Sequence, residues 1–256
     1  MIPTDEYIVE MKGISKNFGA IQALDNVDLE LRRGEILGLV GDNAAGKSTL
    51  MKALFGAVIP NDGQIFVHGR PVIFRNPRDA QGQGIAMVYQ DLALFNNLDV
   101  AANIFAGREL KRSALGIKFL DKRRMYDETY ALFKKLKISN ITSPRLVVEH
   151  MSGGQRQMVA IIRAIGFDAK ILIMDEPTAA LGVKESAIVL DLISHLRDQG
   201  LSIILITHRL TDVLTIGNRV MVLKGGERQG VLDVKQITLE DIESVIIRGS
   251  SALKAH

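Results

Sequence analysis

The sequence Gly41-Asp-Asn-Ala-Ala-Gly-Lys-Ser-Thr49 is the most specific pattern in this chain. It follows a short apolar run, Glu35–Val40, and precedes a segment that is compatible with a helix, Leu50–Gly56. A strand, a Gly-x-x-x-x-Gly-Lys-Ser loop and a helix in this order are typical of a loop that binds phosphate groups. Because strands alternate with helices along the chain, we predict an α/β core with a mostly parallel sheet.

Each kind of residue in this loop has a chemical reason for its place. Gly41 and Gly46 let backbone N–H groups converge on phosphate oxygens, and Lys47 brings a positive charge to the β- and γ-phosphates. The Ser48 hydroxyl suits a Mg²⁺ ion, and the N-terminus of the following helix adds partial positive charge. The candidate nucleotide-binding residues of the loop are Gly41, Asp42, Asn43, Ala44, Ala45, Gly46, Lys47, Ser48 and Thr49.

Composition limits the classes of protein to which the chain can belong. The 256 residues suit one large α/β domain or two small ones, and 47% of them are hydrophobic, enough for a sizeable core. Cysteine is absent, which excludes disulfides, thiolate metal sites and cysteine nucleophiles and favours a cytosolic protein. The acidic start predicts no signal peptide, and no apolar run of about 18 residues is found. We therefore expect any link to a membrane to go through a partner.

The charge pattern argues against a nucleic-acid partner. The formal net charge is +3, which is a small excess for a chain of this length. The basic clusters Lys111-Arg112 and Lys122-Arg123-Arg124 are short and contain no aromatic side chains. We interpret them as a solvated face, because nucleic-acid-binding surfaces combine basic stripes with stacking platforms.

Hydrophobic periodicity predicts an antiparallel sheet and a helical insertion beside the nucleotide core that contains the loop. Residues 7–12 and 25–31 alternate apolar and polar positions, and with a strand at 64–68 they predict a small antiparallel sheet beside the nucleotide core. Residues 91–150 carry helical patterns, which predict a mostly helical insertion. We expect a single domain over residues 1–256, with a core at about 1–90 and 167–248 and a helical subdomain at about 91–166.

Two carboxylates end an apolar strand downstream of the loop. Asp175 and Glu176 close the run 170–176, and open α/β sheets bind their ligands at the carboxyl ends of the strands. Asp175 is therefore a candidate for the Mg²⁺ shell, and Glu176 is a candidate for polarising the attacking water. The alternative is a solvated pair of carboxylates, which is common at strand ends where no phosphate-binding loop precedes.

Gln90 and His208 also stand at the ends of apolar strands. Gln90 is a candidate for reaching the γ-phosphate through the metal or the attacking water, and His208 through a direct hydrogen bond. Neither residue indicates a nucleotide site when taken alone, and both support that hypothesis only as part of the set. The candidate catalytic residues are Glu176, His208 and Gln90, and the candidate metal ligands are Ser48, Gln90 and Asp175.

A second anion-binding helix start is predicted at Ser152-Gly-Gly-Gln155. This stretch contains no lysine, so it is not a second loop of the first kind. In a head-to-tail dimer, the Ser152 loop of one copy would face the Gly41–Ser48 loop of the other. The further candidates for nucleotide binding are Ser152, Gly153, Gly154 and Gln155.

Taken in order, these motifs resemble the nucleotide-binding subunit of ABC transporters over about residues 7–234. The motifs are GDNAAGKST at 41–49, Gln90, MSGGQ at 151–155, ILIMDEPTAAL at 171–181 and Thr207-His208. The resemblance implies a P-loop NTPase fold of the ABC type that binds ATP and Mg²⁺, hydrolyses ATP and forms a head-to-tail dimer around it. It also implies an aromatic residue that stacks on adenine, and Phe18 stands at the expected spacing before Lys47. The alternative for Phe18 is a core aromatic.

Further stretches narrow the resemblance to bacterial importers of monosaccharides such as ribose, xylose and fructose. These stretches are Tyr89–Leu94, Asn97–Phe105 and Gly107–Glu109. The resemblance implies an ATPase that powers sugar uptake, with membrane-embedded permease subunits as partners and a sugar-binding protein as an indirect partner. It implies a peripheral position on the cytoplasmic side of the membrane. We expect residues 91–102 to contact the permease. We also expect the permease and the sugar-binding protein, and not this chain, to determine which sugar is carried.

Two other functions stay open at this stage. A soluble ABC-type ATPase that acts on nucleic acid or ribosomes usually carries tandem units, long coiled-coil insertions or strong basic arms, and the sequence shows none of these. A nucleotide-gated module that does not hydrolyse ATP is disfavoured by the intact Glu176 and His208.

Three positions depart from the usual pattern of the family. Met151 stands where leucine is usual, and the change is small because both residues are apolar. Gly182 replaces an aspartate that normally takes part in communication between the two sites. Ala44 replaces a glycine, and if this position needs a positive φ, the side chain costs about 1–2 kcal/mol.

Overall fold

The computed structural model describes residues 7–114, 117–166 and 168–254. The strands, in chain order, are β1 (Tyr7–Phe18), β2 (Ile21–Arg32), β3 (Ile36–Val40), β4 (Asp62–Val67), β5 (Arg70–Val72), β6 (Ile85–Val88), β7 (Lys111–Ala114), β8 (Ile117–Leu120), β9 (Ile171–Asp175), β10 (Ser202–Ile206), β11 (Arg219–Lys224) and β12 (Glu227–Asp233). The helices are α1 (Lys47–Leu54), α2 (Pro77–Gly82), α3 (Val100–Ile104), α4 (Lys122–Lys135), α5 (Gly153–Ile165), α6 (Val183–Asp198), α7 (Leu210–Ile216) and α8 (Leu239–Arg248). Short 3-10 helices cover Val148–His150, Val234–Gln236 and Gly249–Lys254.

The central sheet has six strands in the order β12-β11-β3-β10-β9-β6. The neighbours from β11 to β6 are parallel, and β12 pairs with β11 antiparallel. The inner strands read as continuous apolar runs because both faces of the sheet are covered. Along β3, Ile36 and Val40 belong to one hydrophobic cluster, while Leu37 and Leu39 belong to the other. The predicted α/β core with a mostly parallel sheet is confirmed.

A second, antiparallel sheet has the strand order β2-β1-β4-β5. Val9 of β1 pairs with Leu31 of β2 and Val67 of β4, and all three side chains are buried. The predicted small antiparallel sheet is therefore confirmed. β1 is longer than its alternation indicated, because register shifts between Met11 and Ile14 interrupt the period of two without ending the strand.

The region between β6 and β9 contains helices α3, α4 and α5, as predicted, and also a hairpin that the periodicity missed. β7 and β8 pair antiparallel, with Lys111 opposite Leu120. Ile117 and Phe119 are exposed on this hairpin. Each strand has only four residues, and the alternation Ile117-Lys118-Phe119 is too short to indicate a strand. Helices supply most of the regular structure described in this region, and the hairpin supplies the rest.

The parallel strands carry the predicted site residues to one edge of the central sheet. Ile206 of β10 lies opposite Leu39 of β3 on one side and Asp175 of β9 on the other. The loop after β3, the carboxylates after β9 and the chain after β10 therefore leave the sheet at the same level. Among the described residues, no helix is both long and apolar enough to cross a lipid bilayer.

Candidate functional site

The loop between β3 and α1 is shaped by glycines that have packing reasons for being glycine. Gly41 has φ 146°, and a Cβ there would lie 1.9 Å from the carbonyl oxygen of Leu223. Gly46 has φ 99°, and its Cβ would lie 2.6 Å from the carbonyl oxygen of Ala23. The backbone of the loop thus packs closely against β11 and β2. Its outer residues, Asp42, Asn43, Ala44 and Ser48, are exposed and available to a ligand.

Ala44 adopts the backbone conformation that the glycine of the usual pattern would take freely. Its φ is 62°, in the left-handed region. For a residue with a Cβ this conformation costs about 1–2 kcal/mol. The loop of this protein therefore folds against a local penalty.

Lys47 is buried beneath the loop and points its ammonium into it. The Nζ atom donates hydrogen bonds to the carbonyl oxygens of Gly41 at 2.7 Å and Asp42 at 2.8 Å. Burial lowers the pKa of Lys47, and the negative charges of Glu176, Asp175 and Asp42 oppose this shift. The loop thus encloses a cation that faces two carboxylates across the edge of the sheet.

Asp175 is half-buried at the end of β9. Burial raises its pKa, Glu176 raises it further, and Lys52, Lys47 and His208 lower it. A carboxylate so placed is stabilised by any added cation. Ser48, Gln90 and Asp175 offer hydroxyl, amide and carboxylate oxygens, which are the hard donors that Mg²⁺ prefers. The residues present therefore fit a magnesium ion.

Glu176 is in close polar contact with His208. Its Oε1 atom lies 2.6 Å from Nε2 of His208, and the Glu176 side chain is 17% exposed against 44% for His208. Glu176 has φ 52°, and its N–H donates to the carbonyl oxygen of Ile206 at 2.9 Å. A left-handed conformation costs a non-glycine residue about 1–3 kcal/mol, and such strain collects at functional sites. Here it turns the carboxylate from the end of β9 towards β10.

A buried network, which sequence reasoning missed, holds the two strand ends together. The Thr178 hydroxyl donates to Oδ2 of Asp212 at 2.5 Å, and both residues are buried. Arg209 donates to Oγ of Ser186 at 2.9 Å and to the carbonyl oxygen of Thr178 at 3.3 Å. Thr178 follows Glu176 closely, and Arg209 follows His208 directly. The network thus fixes the Glu176–His208 pair from behind. Its sequence signal is limited to Thr178, which lies within the quoted DEPT motif.

Gln90 is exposed after β6 and shares a cleft of about 390 Å³ with Glu176. The beginning of α5, at Gly153 and Arg156, also lines this cleft, together with Pro177 and residues 179–181. The structure therefore brings Gln90 and Glu176 to one opening, as their strand-end positions predicted.

Ser152 is the N-cap of α5 and forms a capping box with Gln155. The Gln155 N–H donates to Ser152 Oγ, and the Ser152 N–H donates to Gln155 Oε1 at 3.0 Å. The Gln155 amide also donates to the carbonyl oxygen of Asn140 at 2.6 Å. The Gln155 side chain is thus committed to holding the helix start. The hydroxyl of Ser152 and the N–H of Gly154 instead meet the carboxylate of Glu185, a residue that sequence reasoning did not single out.

Phe18 ends β1 and is 49% exposed, so it is not a core aromatic. The Nζ atom of Lys16 lies 5.3 Å from the centroid of its ring. A half-exposed ring with a nearby cation retains a face on which a planar base can stack.

Comparison with known proteins agrees with this arrangement. The ABC transporter family profile matches residues 24–179. The fructose import ATP-binding protein FrcA of Rhizobium meliloti is 44% identical over 239 residues, 92% of each chain. The xylose/arabinose import ATP-binding protein XylG of Sulfolobus acidocaldarius is 41% identical over 93% of each chain. The ribose import ATP-binding protein RbsA of Caldanaerobacter subterraneus subsp. tengcongensis is 41% identical over 98% of this chain, which spans 49% of that protein.

Solved structures show the same fold. MJ1267, an ATP-binding cassette of an ABC transporter, matches with a TM-score of 0.80 and 24% identity over 97% of this chain and 98% of that one. The dimeric post-hydrolysis structure of the cassette MJ0796 with ADP and Pi has a TM-score of 0.71 at 24% identity, over 90% of this chain and all of that one. The extent of the family match and the identity to full-length relatives lead to one conclusion: the chain belongs to the ABC transporter family.

Proposed function

We propose that this chain is the ATP-binding and hydrolysing subunit that powers import of a monosaccharide through an ABC transporter. The observation that carries the proposal is the Glu176–His208 pair, 2.6 Å apart at the sheet edge to which the Lys47 loop also leads. The relatives named for fructose, xylose/arabinose and ribose import support the choice of a monosaccharide.

In this proposal the loop residues bind the phosphates of ATP. Lys47 and the N–H groups from Gly41 to Thr49 hold the β- and γ-phosphates, while Phe18 stacks on the adenine. Ser48, Gln90 and Asp175 would hold Mg²⁺, which supplies neutralisation of the phosphate charge when bound.

Hydrolysis is assigned to the residues that follow β9 and β10. Glu176 accepts a proton from a water molecule as the water oxygen bonds to the γ-phosphorus and the bond to the bridging oxygen of ADP breaks. Nε2 of His208 holds the Glu176 carboxylate in position before ATP binds, and it donates its hydrogen bond to the γ-phosphate once ATP is bound. The buried network around Thr178 and Asp212 keeps both side chains in this arrangement.

A second copy of the chain completes each site. The hydroxyl of Ser152 and the N–H groups of Gly153 and Gly154 lie at the beginning of a 13-residue helix, whose N-terminus carries a partial positive charge. In a head-to-tail dimer these donors reach the γ-phosphate held by Lys47 of the other copy. The dimeric cassette MJ0796 supports this arrangement by analogy of fold.

Permease subunits are proposed to dock beside residues 91–102. A groove of about 670 Å³ lies here, between the nucleotide core and the helical subdomain proposed at about 91–166. Arg163 of α5 lines it and donates to the carbonyl oxygens of Leu92 at 2.7 Å and Ala93 at 2.8 Å. Through these bonds, movement of α5 shifts the docking segment. The subunit would thus act at the cytoplasmic face of the membrane, and the sugar-binding protein would contact only the permease.

The proposal is tested with Glu176→Gln and a matched control, Glu128→Gln, which removes a carboxylate that pairs with Arg124 on the surface of α4. In vesicles containing the cognate permease, Glu176→Gln should lower ATP turnover and uptake of labelled fructose, xylose or ribose at least ~100-fold. It should also retain ATP in a stable dimer, while the control keeps its turnover within about two-fold. Normal turnover by Glu176→Gln would remove this residue from the mechanism, and ATP turnover without uptake of any of these sugars would reject the transport assignment.

A further inference from the structure

One carboxylate in this protein bridges the beginnings of two helices. Glu185, in the first turn of α6, accepts a hydrogen bond from the N–H of Gly154 in the first turn of α5, with Oε1 at 3.3 Å. The Ser152 hydroxyl and the N–H of Gly182 also donate to this carboxylate, and all three donors lower the pKa of Glu185. The carboxylate is therefore ionised at neutral pH and partly neutralises both helix N-termini.

Glycines at the beginning of α5 permit this close approach. A Cβ at Gly154 would lie 3.0 Å from Cβ of Glu185 and 3.3 Å from its Cγ. A Cβ at Gly153 would lie 3.8 Å from Oε2 of Glu185. The carboxylate is thus seated against the bare backbone of the helix start. Gly182, the N-cap of α6, has no side chain that could cap its own helix, so Glu185 also takes that task.

We infer that the Glu185 carboxylate occupies, within each subunit, the donors that the γ-phosphate held by the other subunit needs, and that closure of the dimer on ATP displaces it. The inference rests on the proposed function. Ser152 and Gly154 supply the donors in question, and a carboxylate and a phosphate cannot share them because both are anions. Glu185 therefore stabilises the open subunit and raises the ATP concentration that closure requires.

The same displacement connects the two ATP sites of the dimer. Ser152 and Gly154 serve the site whose Lys47 belongs to the other copy, whereas Glu176 serves the site of its own copy. Glu185 holds the beginning of α5 and, through Gly182, the end of the segment that starts at Glu176. When phosphate displaces Glu185 from α5, Gly182 loses a shared anchor, and the position of Glu176 responds. Glu185 is thus a positioning residue and not a catalytic one.

The test compares Glu185→Gln with Asp191→Asn in the Glu176→Gln background. Asp191 lies on the exposed face of α6, so its substitution removes one negative charge from the same helix without touching α5. Sedimentation velocity gives the ATP concentration for half-maximal dimerisation, and hydrogen exchange without nucleotide reports the amides of residues 153–156. We expect Glu185→Gln to dimerise at an ATP concentration about 3- to 10-fold lower and to exchange these amides faster. Asp191→Asn should match the parent in both measurements.

The possible outcomes distinguish failure of the inference from failure of the proposed dimer. The first outcome is that the Glu176→Gln parent dimerises with ATP but the added Glu185→Gln substitution leaves the required ATP concentration unchanged or raises it. This outcome would overturn the inference alone, because it is what a purely structural helix cap predicts. Unchanged exchange at residues 153–156 in the free subunit would overturn it too. A parent that stays monomeric at every ATP concentration would overturn the proposed dimer together with the inference. Thermal melting of all variants shows whether the fold is intact. A second variant, Glu185→Asp, keeps the charge on a shorter side chain. Its ATP concentration for half-maximal dimerisation should fall between those of Glu185→Gln and the parent.

Discussion

Oε1 of Glu176 lies 2.6 Å from Nε2 of His208, although the two residues belong to different strands. β9 and β10 are neighbouring parallel strands in the register Asp175 opposite Ile206. The residue after Asp175 and the second residue after Ile206 therefore meet at the sheet edge. The contact depends on this register and on the positive φ of Glu176, which turns its side chain towards β10.

His208→Ala should lower ATP turnover about 100-fold, because the Glu176 carboxylate loses the partner that orients it. The effects of two residues that act as one unit do not add. The double variant with Glu176→Gln should therefore be no slower than Glu176→Gln alone. Steady-state phosphate release, with His195→Ala on α6 as the control, measures both effects. A double variant whose loss equals the product of the single losses would show that the two residues act independently.

Ala44→Gly should stabilise the protein by about 0.5–1 kcal/mol. The variant removes a left-handed penalty of about 1–2 kcal/mol and adds about 0.4–1 kcal/mol of unfolded-chain entropy. Ala45→Gly is the matched control: Ala45 is buried and has no positive φ, so its replacement should destabilise the fold. Urea unfolding measures both changes. Equal destabilisation by the two variants would show that φ at position 44 carries no cost.

Gly41→Ala should disrupt the loop, because the new Cβ would lie 1.9 Å from a backbone oxygen that cannot move freely. We expect a loss of about 2–4 kcal/mol in the free energy of unfolding and of at least ~10-fold in ATP affinity. Gly82→Ala, at the end of α2, meets no heavy atom within 4 Å and should leave stability at or above that of the original protein. Calorimetric titration with ATP and thermal melting measure the two quantities, and ATP binding by Gly41→Ala at full affinity would contradict the geometry of the loop.

Asp175→Asn should raise the melting temperature of the free protein at pH 7 while abolishing ATP turnover. The fold raises the pKa of Asp175 above its ordinary value of 3.8, chiefly through burial, so the charged form is less stable in the folded than in the unfolded chain. This penalty is complete above the raised pKa, shrinks as pH falls through it, and vanishes below 3.8. The gain should be no more than about 2 °C, since the group is half-exposed and screened. A gain that grows on acidification would have the wrong sign.

Local patterns predicted much of the fold and of the candidate site. The apolar runs of β3, β9 and β10, the alternation in β1 and β2 and the helix start at Ser152–Gln155 agree with the structure. The resemblance to ABC transporter ATP-binding subunits is confirmed by the family match and by the import ATP-binding relatives. The β7–β8 hairpin was missed because its strands have only four residues each, too few for an alternation to indicate a strand.

The sequence by itself determined the residue types of the site and their order, because phosphate binding and water activation require particular side chains at the ends of particular strands. Only the tertiary structure decided which of them touch. The contact of Glu176 with His208, the hydrogen bond of Thr178 with Asp212 and the bond from Gly154 to Glu185 all join residues 31–34 positions apart in the sequence. Such contacts follow from strand register, backbone φ and helix packing, which are cooperative properties of the folded chain and leave no mark in a local pattern.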